Sequence, residues 1–136
     1  MEAKGSKVLP GLKYTRTSEW AKVDGANVKV GLTDFAQHEL TDIVFADLPK
    51  IGAKTRQGES FTAVESVKAV ADFNAPVTGE IVEVNKNLEN QPELMNADPY
   101  GEGWLAVIKM ADPKELDKLL DDKGYVHYLE HEHKGH

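Results

Sequence analysis

The segment F-T-A-V-E-S-V-K-A-V-A-D-F, residues 61–73, fits two incompatible structures, and the fold depends on which of them forms. As a helix, it would place Glu65 and Lys68 one turn apart and would align its apolar residues along one face. As a pair of strands, it would reverse at Val67-Lys68 and hold the lysine amine in solvent. Its β-branched valines and the lack of a capping residue count against the helix. The local pattern alone is compatible with both structures.

The flanking sequence has the two-residue period of half-buried strands. Residues 19–32, E-W-A-K-V-D-G-A-N-V-K-V-G-L, alternate apolar and polar side chains around Asp24-Gly25, which is typical of a tight hairpin turn. Further strands are predicted over residues 42–48, 78–85 and 103–110, each near glycine or proline. The pattern therefore predicts a strand-rich barrel or sandwich.

Two short helices are expected among these strands. Thr33 or Asp34 is suited to cap a helix over D-F-A-Q-H-E-L, residues 34–40. The loop over residues 90–103 contains two prolines and two glycines, which favours an irregular path with one short helical turn.

A carboxyl-terminal helix is predicted to begin at Asp112, with Pro113 in its first position and leucines at helical spacing behind it. Gly124 is expected to end that helix. The whole chain, residues 1–136, is expected to be one domain. Residues 1–10 are interpreted as a loose lead-in and residues 129–136 as a polar, histidine-rich tail.

Composition excludes several classes of function. The formal net charge of -7 argues against binding to nucleic acid or to an anionic membrane surface. The absence of cysteine excludes disulfides, thiolate nucleophiles and cysteine metal sites. No apolar run approaches the roughly 20 residues that a membrane span needs, and residues 1–10 do not resemble a targeting signal. The sequence predicts a cytoplasmic protein, or a mitochondrial matrix protein if it is a processed eukaryotic form.

The carboxyl-terminal histidines raise the possibility of a metal site. His127 and His131 are four residues apart, and His133 and His136 follow them. Imidazoles at helical spacing can bind zinc or nickel. The tail has no cysteine and no evident groups to orient the imidazoles, so no metal is expected.

Six blocks of this sequence, in order, resemble one known family. They are Y-T-R-T-S-E-W (14–20), V-G-L-T-D-F-A-Q-H-E-L (30–40), D-I-V-F-A-D-L-P (42–49), E-S-V-K-A-V-A-D-F-N-A-P-V-T-G-E-I-V-E-V-N (65–85), P-E-L-M-N-A-D-P-Y-G-E-G-W-L (92–105) and L-D-K-L-L-D-D-K-G-Y-V-H-Y-L (116–129). The chain is similar to the H-proteins of the glycine cleavage system, which are lipoate carriers. The resemblance implies a lipoyl-domain-like, hammerhead-type barrel-sandwich hybrid, mainly β with short helices and a carboxyl-terminal helix. It favours the hairpin at Lys68.

The resemblance also implies a set of site residues. In that family lipoic acid is joined by an amide to the lysine of this motif, which is Lys68. An acidic residue three positions earlier takes part in recognition by the lipoate ligase or lipoyl transferase, and a glycine eleven positions later shapes the hairpin pair. The loaded arm folds into a cleft on the carrier, where carboxylates can hold a protonated amine. The matching positions are Glu65 for the ligase, Gly79 for the hairpin, and Thr17, Glu19 and Asp72 for the cleft.

The implied function is that of a shuttle and not of an enzyme. The carrier would take the aminomethyl group of glycine on lipoyl-Lys68 from the pyridoxal-phosphate-dependent glycine decarboxylase (P-protein). It would pass this group to the folate-dependent aminomethyltransferase (T-protein) and be reoxidised by dihydrolipoamide dehydrogenase (L-protein). The lipoate supplies the redox chemistry and the protein supplies its position. The carrier is expected to be a monomer.

Two departures from the family pattern keep an alternative open. Ser18 stands where the family has histidine, and Thr41 stands where it has glycine. The alternative is an H-like lipoyl carrier that serves lipoate relay to other complexes or a sulfur-oxidation pathway. Neither departure touches Lys68.

Overall fold

The computed structural model describes residues 1–132, which form eleven β-strands, three α-helices and two 3-10 turns. The strands are β1 (Glu2–Ala3), β2 (Ser6–Lys7), β3 (Lys13–Tyr14), β4 (Glu19–Asp24), β5 (Asn27–Leu32), β6 (Ile43–Ala46), β7 (Lys54–Thr55), β8 (Ser60–Ser66), β9 (Val70–Asn74), β10 (Gly79–Val84) and β11 (Ala106–Met110). The helices are α1 (Asp34–Leu40), α2 (Leu94–Ala97) and α3 (Asp122–His131), and the 3-10 turns are Lys86–Glu89 and Pro113–Lys118. The predicted mainly β class with short helices is confirmed.

The strands form three antiparallel sheets. The largest has the order β3-β4-β5-β11-β10-β7, the second has the order β6-β8-β9, and β1 pairs with β2. Each sheet is open at both edges over the described residues. The architecture is therefore a sandwich of open sheets, without a closed barrel.

The main core lies between the six-stranded and the three-stranded sheet. The six-stranded sheet contributes alternate residues such as Val28, Val30 and Ile108, all fully buried. The three-stranded sheet contributes Val64 and Phe73, which are also fully buried. Burial of a side chain of this size stabilises the fold by about 1.5–3 kcal/mol. This core fixes which way each strand of the lysine-bearing hairpin faces.

A second apolar cluster joins the two ends of the described chain. The rings of Tyr14 and Tyr125 stack with their centroids 4.6 Å apart and their planes within 3° of parallel. Trp20 and Leu129 are buried in the same cluster. Helix α3 is therefore packed against the strands that precede it by about a hundred residues.

The expected loose lead-in is wrong for residues 1–10. Strands β1 and β2 pair there as a hairpin, and Ala3 and Val8 are buried in the second cluster. The peptide N–H of Lys7 donates to Asp34 of helix α1. The short apolar residues of this segment gave no periodic signal, because each strand is only two residues long.

The predicted carboxyl-terminal helix is divided in two. Asp112 caps it and Pro113 begins it as expected, but a six-residue 3-10 turn forms there and ends at Lys118. Leu120 then exchanges two backbone hydrogen bonds with Tyr14, of 2.7 and 2.8 Å, which requires extended backbone. The prediction that Gly124 ends the helix is wrong, because Gly124 lies in the first turn of α3 and donates to the cap Asp121.

The boundary predicted for the polar tail is also wrong. Leu129 is fully buried, and helix α3 continues to His131. Residues 133–136 lie outside the described part of the chain. None of the helices in the described residues combines the length and the apolar character that crossing a membrane requires.

Candidate functional site: a lysine at a braced hairpin turn

Residues 60–74 form a β-hairpin with Lys68 in its turn, so the helical alternative for this segment is wrong. The peptide N–H of Ser66 donates to the carbonyl of Ala69 across the turn, at 2.8 Å. The Ser66 hydroxyl accepts from the peptide N–H groups of Lys68 and Ala69, at 3.1 and 3.0 Å. A single hydroxyl therefore satisfies two turn donors that would otherwise need water.

The turn is also tied to a distant part of the chain. The peptide N–H of Val67 donates to the carbonyl of Asp42, and Lys68 Nζ donates to the carbonyl of Glu39, at 2.9 and 2.8 Å. Glu39 lies in the last turn of α1, where carbonyls lack a helical partner and carry the negative end of the helix dipole. The lysine side chain remains exposed. The backbone of the turn is thus held by hydrogen bonds, whereas the hydrogen bond from the Lys68 amine to Glu39 is one that water can replace.

Asn96 holds the loop that supports the turn. Its side-chain oxygen accepts from the peptide N–H of Ile43 at 2.9 Å, and its side-chain nitrogen donates to the carbonyl of Thr41 at 2.7 Å and to Gln37 at 3.0 Å. The carbonyl of Asp42 between them receives the turn. The sequence pattern gave no signal for Asn96, Glu39 or Ser66, because their partners are set by tertiary contacts.

Glu65 lies on strand β8 beside the lysine turn, whereas Gly79 lies on strand β10 of the six-stranded sheet. Glu65 is exposed on β8, where it faces Phe45 on one side and Val70 on the other. Gly79 begins β10 between β7 and β11, and a Cβ atom there would lie 2.1 Å from the carbonyl oxygen of Lys109. Only glycine permits this approach of two backbones.

Thr17 and Glu19 are in direct contact, with Glu19 beneath Thr17. The carboxylate of Glu19 accepts hydrogen bonds from the hydroxyls of Thr15 and Thr17 and from the peptide N–H of Asn74. Glu19 is 1% exposed. Burial raises its pKa from 4.5 to about 7, and the hydroxyl donors oppose this rise only in part. The hydrogen bond to Asn74 joins strand β4 to the end of the lysine hairpin.

Asp72 is placed on the same hairpin but has a different environment. It is exposed on β9, opposite Ala63 and two residues before Asn74. Its link to Glu19 runs through that strand, because the peptide N–H of Asn74 donates to the Glu19 carboxylate at 3.1 Å. Thr17 borders a cavity of about 330 Å³ whose other walls include Arg16. The three predicted cleft residues thus comprise a buried carboxylate and two exposed groups.

The carboxyl-terminal histidines show one pair in the described region. The rings of His127 and His131 lie 4.6 Å apart, and His127 Nδ1 is 3.5 Å from a Glu132 oxygen. Residues 1–132 contain no group of three or more side chains arranged to hold a metal ion. His133 and His136, the other two members of the cluster, lie outside the described residues.

A mainly β fold that displays a lysine amine on a braced hairpin defines the class of small carrier domains. The family model for the glycine cleavage H-protein matches residues 12–132. The chain therefore belongs to the glycine cleavage H-protein family. Members of this family are carrier components and not catalysts, which confirms the prediction that this chain is not an enzyme.

Individual relatives agree with this assignment. The glycine cleavage system H protein of Coprothermobacter proteolyticus is 50% identical over 124 residues, covering 90% of this chain and 98% of the relative. The mitochondrial H protein of Oryza sativa is 49% identical over 127 residues, covering 93% of this chain and 77% of the relative. A crystal structure of the H protein from Mycobacterium marinum superposes with a TM-score of 0.78 at 39% identity, covering 86% of this chain and 95% of that one.

Proposed function

We propose that this protein is the lipoyl carrier of the glycine cleavage system, with lipoic acid joined to Lys68 Nζ by an amide. The observation that carries the proposal is the combination of an exposed amine with a turn in which the peptide N–H groups of residues 66–69 are all hydrogen-bonded. A swinging arm needs an accessible root, and accurate delivery needs a stiff base. Membership of the H-protein family supports the same role.

The residues present fit the chemistry of lipoic acid. Amide formation requires a primary amine that another enzyme can reach, and Lys68 is exposed at the tip of its hairpin. When bound, lipoic acid supplies a disulfide that accepts a transferred group and a pair of electrons, chemistry that this chain lacks because it has no cysteine. The chain itself positions the arm and shields it.

The proposed cycle connects three enzymes. The carrier receives the aminomethyl group of glycine from glycine decarboxylase, delivers it to the aminomethyltransferase and is reoxidised by dihydrolipoamide dehydrogenase. The exposed hydroxyl of Thr17 and the exposed carboxylate of Asp72 are the groups that face solvent near the proposed resting cleft. The buried carboxylate of Glu19 accepts the Thr17 hydrogen and so orients this hydroxyl. Glu65 and Gly79 keep the roles of ligase recognition and hairpin shape.

The two departures from the family pattern are accommodated within the fold. Ser18 is buried, has φ of 71°, and accepts a hydrogen bond of 2.8 Å from the Tyr125 hydroxyl. Thr41 ends helix α1 with φ of 62°, a strained conformation for a residue with a side chain, and its carbonyl accepts a hydrogen bond of 2.7 Å from the Asn96 side chain. Both residues are held by local hydrogen bonds. They give no separate support to a lipoate relay or a sulfur-oxidation pathway, and glycine cleavage is the function proposed.

The cytoplasm is the proposed compartment, with the mitochondrial matrix as the equivalent for a processed eukaryotic form. The Coprothermobacter relative is a bacterial protein, and the rice relative is named as mitochondrial.

Loading of Lys68 tests the proposed function. Purified protein incubated with lipoate, ATP and a lipoate ligase should gain one lipoyl group by intact-mass spectrometry. Lys68→Arg should gain none, because a guanidinium is not nucleophilic at neutral pH, and should keep its melting temperature within about 2 °C because the side chain is exposed. Lys22→Arg, at an exposed position of strand β4, is the matched control and should load normally.

The loaded protein should then support glycine-dependent release of carbon dioxide by glycine decarboxylase. Failure of the wild-type chain to acquire a lipoyl mass would reject every carrier function. Loading without any response of glycine decarboxylase would leave a lipoyl carrier and reject its place in glycine cleavage.

A further inference from the structure

An apolar surface surrounds the lysine turn. Val67 is 67% exposed, Val70 is 69% exposed, and Val44 and Phe45 on the neighbouring strand β6 are 52% and 51% exposed. Large apolar side chains at this exposure lose about half or more of the free energy that their burial would contribute. Their concentration next to Lys68 is a mark of an interaction surface.

A β-bulge in β6 creates this surface. Ile43 pairs with Ser66, whereas Phe45 pairs with Glu65, so Val44 is an extra residue in the strand. Without the bulge, strict alternation would send Ile43 and Phe45 to the same side. Instead, Ile43 and Ala46 are buried and the two residues between them are exposed. Bulges commonly redirect a side chain beside a functional site, and this bulge turns a phenylalanine outward.

The outward phenylalanine belongs to a row of three residues. Phe45 pairs with Glu65, and Glu65 pairs with Val70, in register across the three strands. Directly paired residues lie on one face of a sheet, with Cβ atoms about 5 Å apart. The row therefore presents a carboxylate between two apolar side chains, and we refer to Phe45, Glu65 and Val70 as the docking row.

Charge identifies the kind of partner that fits the docking row. Glu65 is exposed, as are Asp42 and Asp72 close to it in the same sheet region, and the whole chain carries a formal charge of -7. A second copy would place carboxylate against carboxylate, which is unfavourable in a desolvated interface. The complementary surface has a cationic group opposite Glu65 and apolar contacts on either side of it.

Geometry then favours one partner over the others. An enzyme that acylates Lys68 must bring its reacting carbon into bonding distance of Nζ, so its surface must cover the hairpin tip. An enzyme that acts on the far end of an attached arm has no such requirement. The docking row begins within two residues of Lys68 on one strand and three on the other.

We propose that the docking row is the surface by which the enzyme that acylates Lys68 selects this lysine. Phe45 and Val70 supply the apolar contacts, and they extend recognition beyond the acidic residue and the hairpin shape implied by the family. The inference rests on the proposed function, because it requires that Lys68 be acylated.

Loading kinetics of Phe45→Thr and Val70→Thr test this inference. Threonine is favoured in strands, as phenylalanine and valine are, and it removes the apolar contact. With a purified lipoate ligase, lipoate and ATP, each variant should raise the KM for the carrier about tenfold and change kcat by less than about twofold, because truncating an apolar anchor weakens docking without altering Nζ. Ile51→Thr, equally exposed at 63% but outside the row, is the control and should load as the wild type does.

The other outcomes each overturn a specific statement. If both variants keep the wild-type KM and melting temperature, the docking row is rejected. The proposed function still stands in that case, provided that the wild type is loaded with lipoate. An unchanged ligase KM with a weakened response of glycine decarboxylase would reassign the row to that enzyme. A dimer in sedimentation that Phe45→Thr dissociates would reassign it to a second copy. A wild-type chain that is never loaded would defeat the proposed function itself.

Discussion

Two hairpins in this molecule reverse the chain over two residues by different means. In the β4–β5 hairpin, Asp24 pairs with Asn27, and Gly25 takes φ of 63° in the turn. In the β8–β9 hairpin, Glu65 pairs with Val70, and residues 66–69 all have negative φ. The first turn is formed by a dipeptide that favours it. The second is formed by a serine hydroxyl and by carbonyls from elsewhere in the chain.

The faces of the two hairpins differ as well. Val28 and Val30 of the β4–β5 hairpin are fully buried in the main core. Val67 and Val70 of the lysine hairpin are the most exposed large apolar residues in the described chain. The β4–β5 hairpin is therefore stabilised by its own turn and by the core. The lysine hairpin is stabilised at its turn by the carbonyls of Asp42 and Glu39, and its apolar side chains remain exposed.

The buried carboxylate of Glu19 joins the two hairpins, because it lies on β4 and accepts a hydrogen bond from Asn74 at the end of β9. Its pKa is about 7 in the folded protein against 4.5 for an ordinary glutamate. The folded state therefore binds more protons than the unfolded state between these values, so stability falls as the pH rises through them. The shift corresponds to about 3 kcal/mol lost by about pH 8.

Glu19→Gln removes this titration and should flatten the pH dependence. The free energy of unfolding from urea melts at about pH 5 and about pH 8 should change by about 3 kcal/mol more in the wild type than in the variant. Other ionisable groups cancel in this difference. Parallel pH profiles for the two proteins would show that the Glu19 carboxylate is not held protonated. Glu19 would then make no pH-dependent contribution to the contact between the two hairpins.

Ser66→Ala sharpens the contrast between the turns. The variant leaves two turn N–H groups without their hydroxyl acceptor and should lose about 1–2 kcal/mol of stability. Ser60→Ala is the matched control on the same strand, because its hydroxyl donates to the carbonyl of Thr62 and accepts no turn hydrogen bond. Gly25→Ala, in the other hairpin, should cost about 1 kcal/mol through its positive φ alone.

The readout that separates these variants is lipoyl loading. Ser66→Ala should load more slowly because the backbone under Lys68 is loosened, whereas Gly25→Ala should lose stability without any change in loading rate. A loading rate in Ser66→Ala equal to that of Ser60→Ala would show that the turn does not need its hydroxyl brace.

Thr41→Gly gives the smallest expected effect and the opposite sign. Thr41 has φ of 62° and ψ of -147°, a region in which residues with a side chain are strained. Glycine should stabilise the protein by about 1 kcal/mol, since the strain is relieved at some entropic cost. Urea melts of both proteins check this value. A destabilised variant would mean that the Thr41 side chain contributes more than its backbone strain costs.

The sequence could specify features whose chemistry is local. The β4–β5 hairpin, the Thr33 cap of α1, the short helix in the loop over residues 90–103 and the strands β6, β10 and β11 were predicted, and the structure confirms them, with the hairpin turn centred one residue later than predicted, at Gly25-Ala26. Each depends on the conformational preference of a few adjacent residues or on a period of two. Resemblance to a family then added Lys68 as the site, since the local pattern left its segment open between helix and hairpin.

Tertiary structure decided the features that depend on distant partners. Leu120 is extended because Tyr14 pairs with it, which divides the predicted carboxyl-terminal helix. Phe45 faces outward because of a bulge against β8, and the Lys68 turn is held by Glu39 and Asp42. The longer strands and the tight turns could be located from the sequence alone, because neighbouring residues determine them. Which strand pairs with which, and hence which side chains are exposed beside the lysine, is set by contacts between residues far apart in the chain.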